Sequence, residues 1–144
     1  MKNYKSAEEE EILSEYFANE PHPLYQMQMS ESGLPFDKIK KIQERLHFTN
    51  KEVSNILHIS ETSYQRLHKS NTKLDAGASE KTIELTELIK KGKDVFGSID
   101  AFRSWIYEAN FAMGNKKPIE LLSSTIGTRY AMTILNRIEW GIYS

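Results

Sequence analysis

The sequence predicts an all-α fold of about seven helices, and three observations predict it. From Asp37 onward the apolar residues recur at three- and four-residue spacing, the period of an amphipathic helix. Short polar side chains stand where helices would begin, at Asp37, Thr49, Ser60, Ser79 and Ser98; such side chains accept from the unsatisfied N–H groups of a first turn. The single alternating stretch, Tyr25-Gln26-Met27-Gln28-Met29, has the pattern of one short strand, so no substantial sheet is expected.

The elements follow in order. Residues 1–36 read as an acidic arm. They hold the run Glu8-Glu9-Glu10-Glu11, then Pro21 and Pro23, the alternating stretch, and a break at Ser32-Gly33-Leu34-Pro35. A solvated tail with one docked segment and a dimerisation arm both fit this composition. Asp37 is placed to cap a helix through Leu46, with Ile39, Ile42 and Leu46 inward. Thr49-Asn50-Lys51-Glu52 has the form of a capping box, so a helix starts at Asn50 and turns Val53, Ile56 and Leu57 inward. After His58-Ile59-Ser60, Ser60 caps a helix over 61–69 with Tyr64 and Leu67 inward. Ser79 is expected to cap a long helix to about Phe96, with Leu85, Leu88 and Ile89 on one side and Gly92 as a weak point within it.

Ser98 then caps a helix whose Ala101, Phe102, Trp105, Ile106 and Ala109 make an apolar stripe. Gly114 marks a turn, and Pro118 suits the first position of a short helix through Leu122. The last helix is expected from about Gly127 to Trp140, with Tyr130, Ala131, Ile134, Leu135 and Ile138 inward and Gly141 as its C-terminal cap. The organisation expected is an arm over 1–36, a helical domain over 37–96 and a second over 97–144.

A chain of 144 residues without cysteine needs no disulfide staple, excludes thiolate chemistry and suits a reducing cytoplasm. No apolar run approaches the length of a membrane span, and the N-terminus leads into acidic residues rather than a secretion segment. A cytoplasmic location is the expectation. Net charge is −1, but it is unevenly spread. Residues 1–36 hold two basic and seven acidic side chains; residues 37–74 hold eight basic and four acidic. A basic block of this kind is compatible with contact to phosphates, although solvated helix faces also carry such charge.

Two motifs carry the functional reading. The short helices over 50–57 and 61–69, joined by three residues, have helix-turn-helix spacing. In such a unit the second helix enters the major groove of DNA. Its outward positions would be Glu61, Thr62, Ser63, Gln65, Arg66 and Lys69. Arg pairs with guanine and Gln with adenine, while Glu61 would repel phosphate or select cytosine. Lys51 and Ser60 stand at helix starts, where backbone phosphates are met. Two core helices with polar outer faces are the alternative. The second motif is in the last helix, where Arg129, Thr133, Asn136, Arg137 and Trp140 share a face separate from the apolar one. Arg and Trp dominate protein–protein hot spots, so this face reads as a partner surface unless Trp140 turns into the core.

Catalysis finds no comparable support. There is no glycine-rich phosphate loop, HExxH motif or serine elbow. His22, His47, His58 and His68 are scattered, without metal-ligand spacing. No cofactor, metal or enzymatic activity is expected.

The stretch Gly114-Asn115-Lys116-Lys117-Pro118-Ile119-Glu120-Leu121-Leu122-Ser123, then Gly127, then Leu135-Asn136-Arg137-Ile138-Glu139-Trp140-Gly141-Ile142-Tyr143-Ser144, resembles the toxin-binding domain of Xre/MbcA/ParS antitoxins. Trp105 stands where that family carries a Trp ahead of its turn, and the helix pair from Asn50 to Lys69 resembles the family's Xre-like helix-turn-helix. The resemblance covers roughly residues 37–144. It implies an antitoxin of a type II toxin–antitoxin pair, with a partner that is a RES-domain toxin consuming NAD, or a related ADP-ribosylating toxin. It implies that the C-terminal domain covers the toxin's active-site entrance. It also implies that the helix-turn-helix represses the operon's own promoter by binding operator DNA, commonly as a homodimer or within a larger toxin complex.

The residues supply a physical version of this expectation. Gly141 ends the last helix and leaves Ile142, Tyr143 and the carboxylate of Ser144 to enter a cleft shaped for a nicotinamide nucleotide, with Tyr143 stacking where a ring would lie. The competing reading is a stand-alone helix-turn-helix regulator whose C-terminal helices serve dimerisation.

Overall fold

A computed structural model describes residues 23–141. The acidic run over 8–11 and the tail residues Ile142, Tyr143 and Ser144 lie outside the described residues. Among the described residues there are eight α-helices, one 3-10 turn and no strand beyond two isolated bridges. They divide into two compact units, the first running to Thr86 and the second starting at Glu87.

Among the described residues the first unit opens with α1, Pro23–Ser32, where the sequence suggested a strand-like segment. Its Leu, Gln and Met residues are good helix formers without β-branching, and proline is tolerated in a first turn, so five alternating residues do not impose an extended chain. Gly33, at φ 85°, ends the helix, and its N–H donates to the Met29 carbonyl at 3.1 Å. A Cβ there would lie 2.7 Å from the Leu74 carbonyl oxygen, so only glycine fits.

Helix α2, Phe36–Leu46, buries Phe36, Ile39, Ile42 and Leu46. Its N-cap is Pro35, not Asp37; Asp37 lies inside the first turn and pairs with Lys41 at 3.1 Å. Helix α3, Asn50–Leu57, starts at the expected capping box. The Glu52 N–H donates to Thr49 Oγ1 at 3.0 Å and the Thr49 N–H to Glu52 Oε1 at 2.8 Å. Helix α4, Glu61–Ser70, is capped by Ser60, whose Oγ accepts from the Ser63 N–H at 3.0 Å.

Helix α5, Ala76–Phe96, starts earlier than Ser79. Asp75 is the capping side chain, its carboxylate accepting from the Ala78 N–H at 2.7 Å. Ser79 is fully buried, and its hydroxyl accepts from the Leu34 N–H at 2.9 Å. The Leu74 N–H in turn donates to the Leu34 carbonyl at 2.8 Å. Ser79 thus satisfies a buried backbone donor of the α1–α2 connection instead of a helix end, a requirement that local sequence does not reveal.

Helix α5 runs from the first unit into the second without a break at Gly92. A Cβ at Gly92 would lie 1.9 Å from the Phe102 ring, so the residue that lowers helix propensity is the one that lets Phe102 pack fully buried against the helix. The units therefore part between Thr86 and Glu87, inside α5, where the sequence suggested 96/97.

Helix α6, Ile99–Ile106, is capped by Ser98, whose Oγ accepts from the Ala101 N–H at 3.0 Å, and buries Ile99, Phe102 and Ile106. It stops before Ala109, which is exposed. Trp105 lies with its ring centroid 5.7 Å from Phe96 and 6.1 Å from Phe102. A 3-10 turn at Phe111–Met113 and the single turn α7, Pro118–Leu121, lead to α8, Thr125–Glu139. Ser124 caps α8 by accepting from the Gly127 N–H at 2.9 Å. A Cβ on Gly127 would lie 2.0 Å from the Leu121 carbonyl oxygen, so the first turn of α8 seats directly on the backbone of α7. Gly141, at φ 77°, follows α8 as expected.

Candidate functional site

Two surfaces emerge, one in each unit. In the first, α3 and α4 are joined by His58-Ile59-Ser60. His58 adopts the left-handed conformation at φ 59° that glycine often fills in such turns. Helix α4 turns Tyr64 fully inward, and this fixes what it turns outward. Glu61, Thr62, Gln65, Arg66 and Lys69 are exposed, and Ser63 is half-buried. Lys51 in the first turn of α3 and Ser60 at the start of α4 are exposed as well.

The seating of α4 is specific. Phe36, Tyr64 and His68 meet edge to face, with ring centroids 4.7–5.6 Å apart. The Tyr64 hydroxyl donates to Gln43 Oε1. Gln43 Nε2 donates onward to the Phe48 carbonyl at 3.0 Å and to Asn50 Oδ1 at 2.8 Å. One buried phenol and one amide thus link α2, the start of α3 and the middle of α4. Burial, followed by the nearby Glu44 carboxylate, pushes the Tyr64 phenol well above its ordinary range, so it remains a hydrogen-bond donor.

In the second unit, α8 buries Ala131, Ile134 and Leu135. Arg129, Thr133, Asn136, Arg137 and Trp140 are all exposed, and Trp140 is 79 % exposed instead of tucked into the core. Glu139 is turned from that stripe to Lys91, with Nζ–Oε1 at 2.5 Å. The Thr133 hydroxyl donates to the Arg129 carbonyl at 3.0 Å.

Tyr130, expected inward, is 40 % exposed. Its hydroxyl donates to the Ala112 carbonyl at 2.5 Å, which ties the 3-10 turn to α8 and holds the ring at the surface. Beside it the sequence reading missed Phe111 and Ile126, which are 89 % and 79 % exposed. The signal for Ile126 was the helix start. With α8 beginning at Thr125, Ile126 falls three and four residues before Arg129 and Tyr130, on the same face.

Among the described residues no group of three or more His, Asp or Glu side chains is placed to hold a metal ion, and no helix is long and apolar enough to cross a membrane.

Comparison with known proteins bears on both surfaces. The family model of the antitoxin Xre-like helix-turn-helix domain matches residues 26–87, and that of the antitoxin Xre/MbcA/ParS C-terminal toxin-binding domain matches residues 91–141. A curated relative, antitoxin Xre of Photorhabdus laumondii subsp. laumondii, is 27 % identical over 113 residues, covering 78 % of this chain and 76 % of its own length. A solved structure of the M. tuberculosis MbcT–MbcA toxin–antitoxin complex contains a chain with the same fold. It matches at a TM-score of 0.57 and 19 % identity, covering 76 % of this chain and 96 % of that one. The two matched domains meet within α5, where the compact units also part, and one carries the α3–α4 pair while the other carries the α8 face. An Xre-like helix-turn-helix followed by a toxin-binding domain makes this chain a member of the Xre/MbcA/ParS antitoxins, the antitoxin half of a toxin–antitoxin system.

Proposed function

We propose that this antitoxin neutralises a NAD-consuming RES-domain toxin by laying α8 across the entrance of the toxin's active site, and that it binds its own operator through α3 and α4. The observation that carries the first part is the exposed stripe of Arg129, Thr133, Asn136, Arg137 and Trp140. A tryptophan 79 % exposed at the end of a well-formed helix gains little from folding and has most of its apolar area available for a partner. The two arginines on the same stripe suit carboxylates at the rim of a cleft. Ile142, Tyr143 and Ser144 follow directly after Gly141, so a segment that continues from this stripe enters the cleft and occupies the place of the nicotinamide nucleotide.

The second part rests on the outward set of α4. Thr62, Ser63, Gln65, Arg66 and Lys69 read base edges, while Lys51 and Ser60 contact phosphates. A homodimer places two such helices on a two-fold operator.

Co-expression with the neighbouring reading frame, followed by pull-down and measurement of cellular NAD, tests the first part. A stable complex is expected, with NAD lost only when the antitoxin is absent. Deletion of residues 142–144 is expected to weaken inhibition; unchanged inhibition would remove the tail from the mechanism and leave the helix face to act alone.

A further inference from the structure

The face of α8 has two apolar ends. One is Trp140. The other is the group made by Tyr130, Ile126 one turn before it, and Phe111 on the 3-10 turn that the Tyr130 hydroxyl holds at the Ala112 carbonyl. Ile126 and Trp140 are separated by fourteen residues of helix, or about 21 Å at 1.5 Å per residue. Between them the stripe carries Arg129, Thr133, Asn136 and Arg137, and no carboxylate.

Phe111 and Ile126 are among the most exposed large apolar side chains of the described residues. Phe111 adjoins Ala112, whose carbonyl holds the Tyr130 hydroxyl, and Ile126 lies one helical turn before Tyr130. Single exposed apolar residues are ordinary, whereas a group of this kind marks a contact surface.

We infer that Phe111, Ile126 and Tyr130 form a second anchor for the toxin, one that supplies affinity and partner selectivity without reaching the toxin's active site. The occupant follows from charge and position. The group lies within residues 91–141, matched to the toxin-binding domain; Ile126 and Tyr130 share the face of the arginine stripe by helix periodicity, and Phe111 is linked to them through the Tyr130–Ala112 hydrogen bond. A second copy of this chain, paired through that face, would set arginines against arginines with no acid on the stripe to compensate. A partner with carboxylates flanked by two apolar hollows about 21 Å apart meets every part of it. The separation also divides the work. The end at Trp140 adjoins the segment assigned above to the active site, and the end at Phe111 is remote from it. This inference rests on that assignment.

The test uses the full-length antitoxin and the toxin encoded by the neighbouring reading frame, with two readouts: affinity, and residual NAD consumption at saturating antitoxin. The Phe111→Ser, Ile126→Thr double variant is expected to raise Kd at least thirtyfold. It should still inhibit completely at saturation, and its thermal midpoint and self-association should be those of the wild type. Tyr130→Phe, which keeps the ring but removes its hydrogen bond to the turn that carries Phe111, is expected to fall between the wild type and the double variant.

A double variant with Kd within twofold of the wild type overturns the inference, as does one that leaves residual activity at saturation. Altered self-association with unchanged toxin affinity also overturns it, by assigning the group to a second copy. If Trp140→Ala weakens binding while the double variant does not, this inference alone falls; if the wild type fails to bind the toxin, the proposed function falls with it.

Discussion

Helices α4 and α8 are built alike and finished differently. Each is amphipathic, each is capped by a serine, and each seats its inner face on a fully buried core. The outer face of α4 is hydrophilic along its length, with Glu61, Thr62, Gln65, Arg66 and Lys69 in water. That of α8 leaves Ile126 and Trp140 exposed around two arginines. A surface that reads a polyanion draws its affinity from counterion release and must remain exchangeable. A surface that holds a folded partner draws it from apolar anchors that only that partner can cover. The two proposed activities of one small chain thus call on different physics, which makes them separable by mutation and by salt.

The largest expected effect tests whether the toxin surface depends on the fold beneath it. Gly92→Ala drives a Cβ into the Phe102 ring and is expected to destabilise the protein by about 3 kcal/mol in chemical denaturation, with toxin binding lost at ordinary temperatures. Next comes a crossed pair. Trp140→Ala should cost about 2–3 kcal/mol of toxin binding and leave operator affinity unchanged. Arg66→Ala should cost about 1–3 kcal/mol of operator binding and leave toxin affinity unchanged. Cross-effects of similar size in both assays would break the comparison. Raising salt from 50 to 200 mM should sharpen it, weakening operator binding steeply and toxin binding far less.

The smallest effect concerns Tyr64. Its pKa is higher folded than unfolded, so the stability that it contributes is complete below the unfolded value near 10 and is lost as pH rises above it. The stability of Tyr64→Phe should fall less steeply between about pH 10 and 12, as followed by circular dichroism.

Much of this was legible in the sequence, because the informative signals were local. The capping box at Thr49, the caps at Ser60 and Ser98, and the core periodicity of α2, α3 and α4 all depend on residues within a turn or two of each other. What was hidden depended on distant partners. Ser79 has the form of a cap but serves the Leu34 N–H, 45 positions away. Gly92 has the form of a helix breaker but makes room for Phe102. Tyr130 fits an apolar periodicity, yet its hydroxyl is drawn outward to the Ala112 carbonyl. Of the candidate site, the polar stripe of α8 and the outer face of α4 followed from periodicity. Phe111 and Ile126 did not, since a 3-10 turn has no period to read and the start of α8 was placed two residues late.

The left-handed helix ends of the first unit have a further consequence. His47, His58 and Asn71 close α2, α3 and α4 at φ 56°, 59° and 50°. Gly33 ends α1 in the same unit, and the second unit gives positive-φ positions to Gly97, Gly114 and Gly141, with Asn115 as its exception. A side chain in that conformation costs on the order of 1 kcal/mol, partly offset by the chain entropy that glycine would add to the unfolded state. His47→Gly and His58→Gly are therefore expected to raise the thermal midpoint slightly. His47 stands outside both proposed binding faces, whereas His58 stands in the turn between α3 and α4. The stability of the first unit is thus open to adjustment at a helix end, His47, that leaves both proposed recognition surfaces as they are.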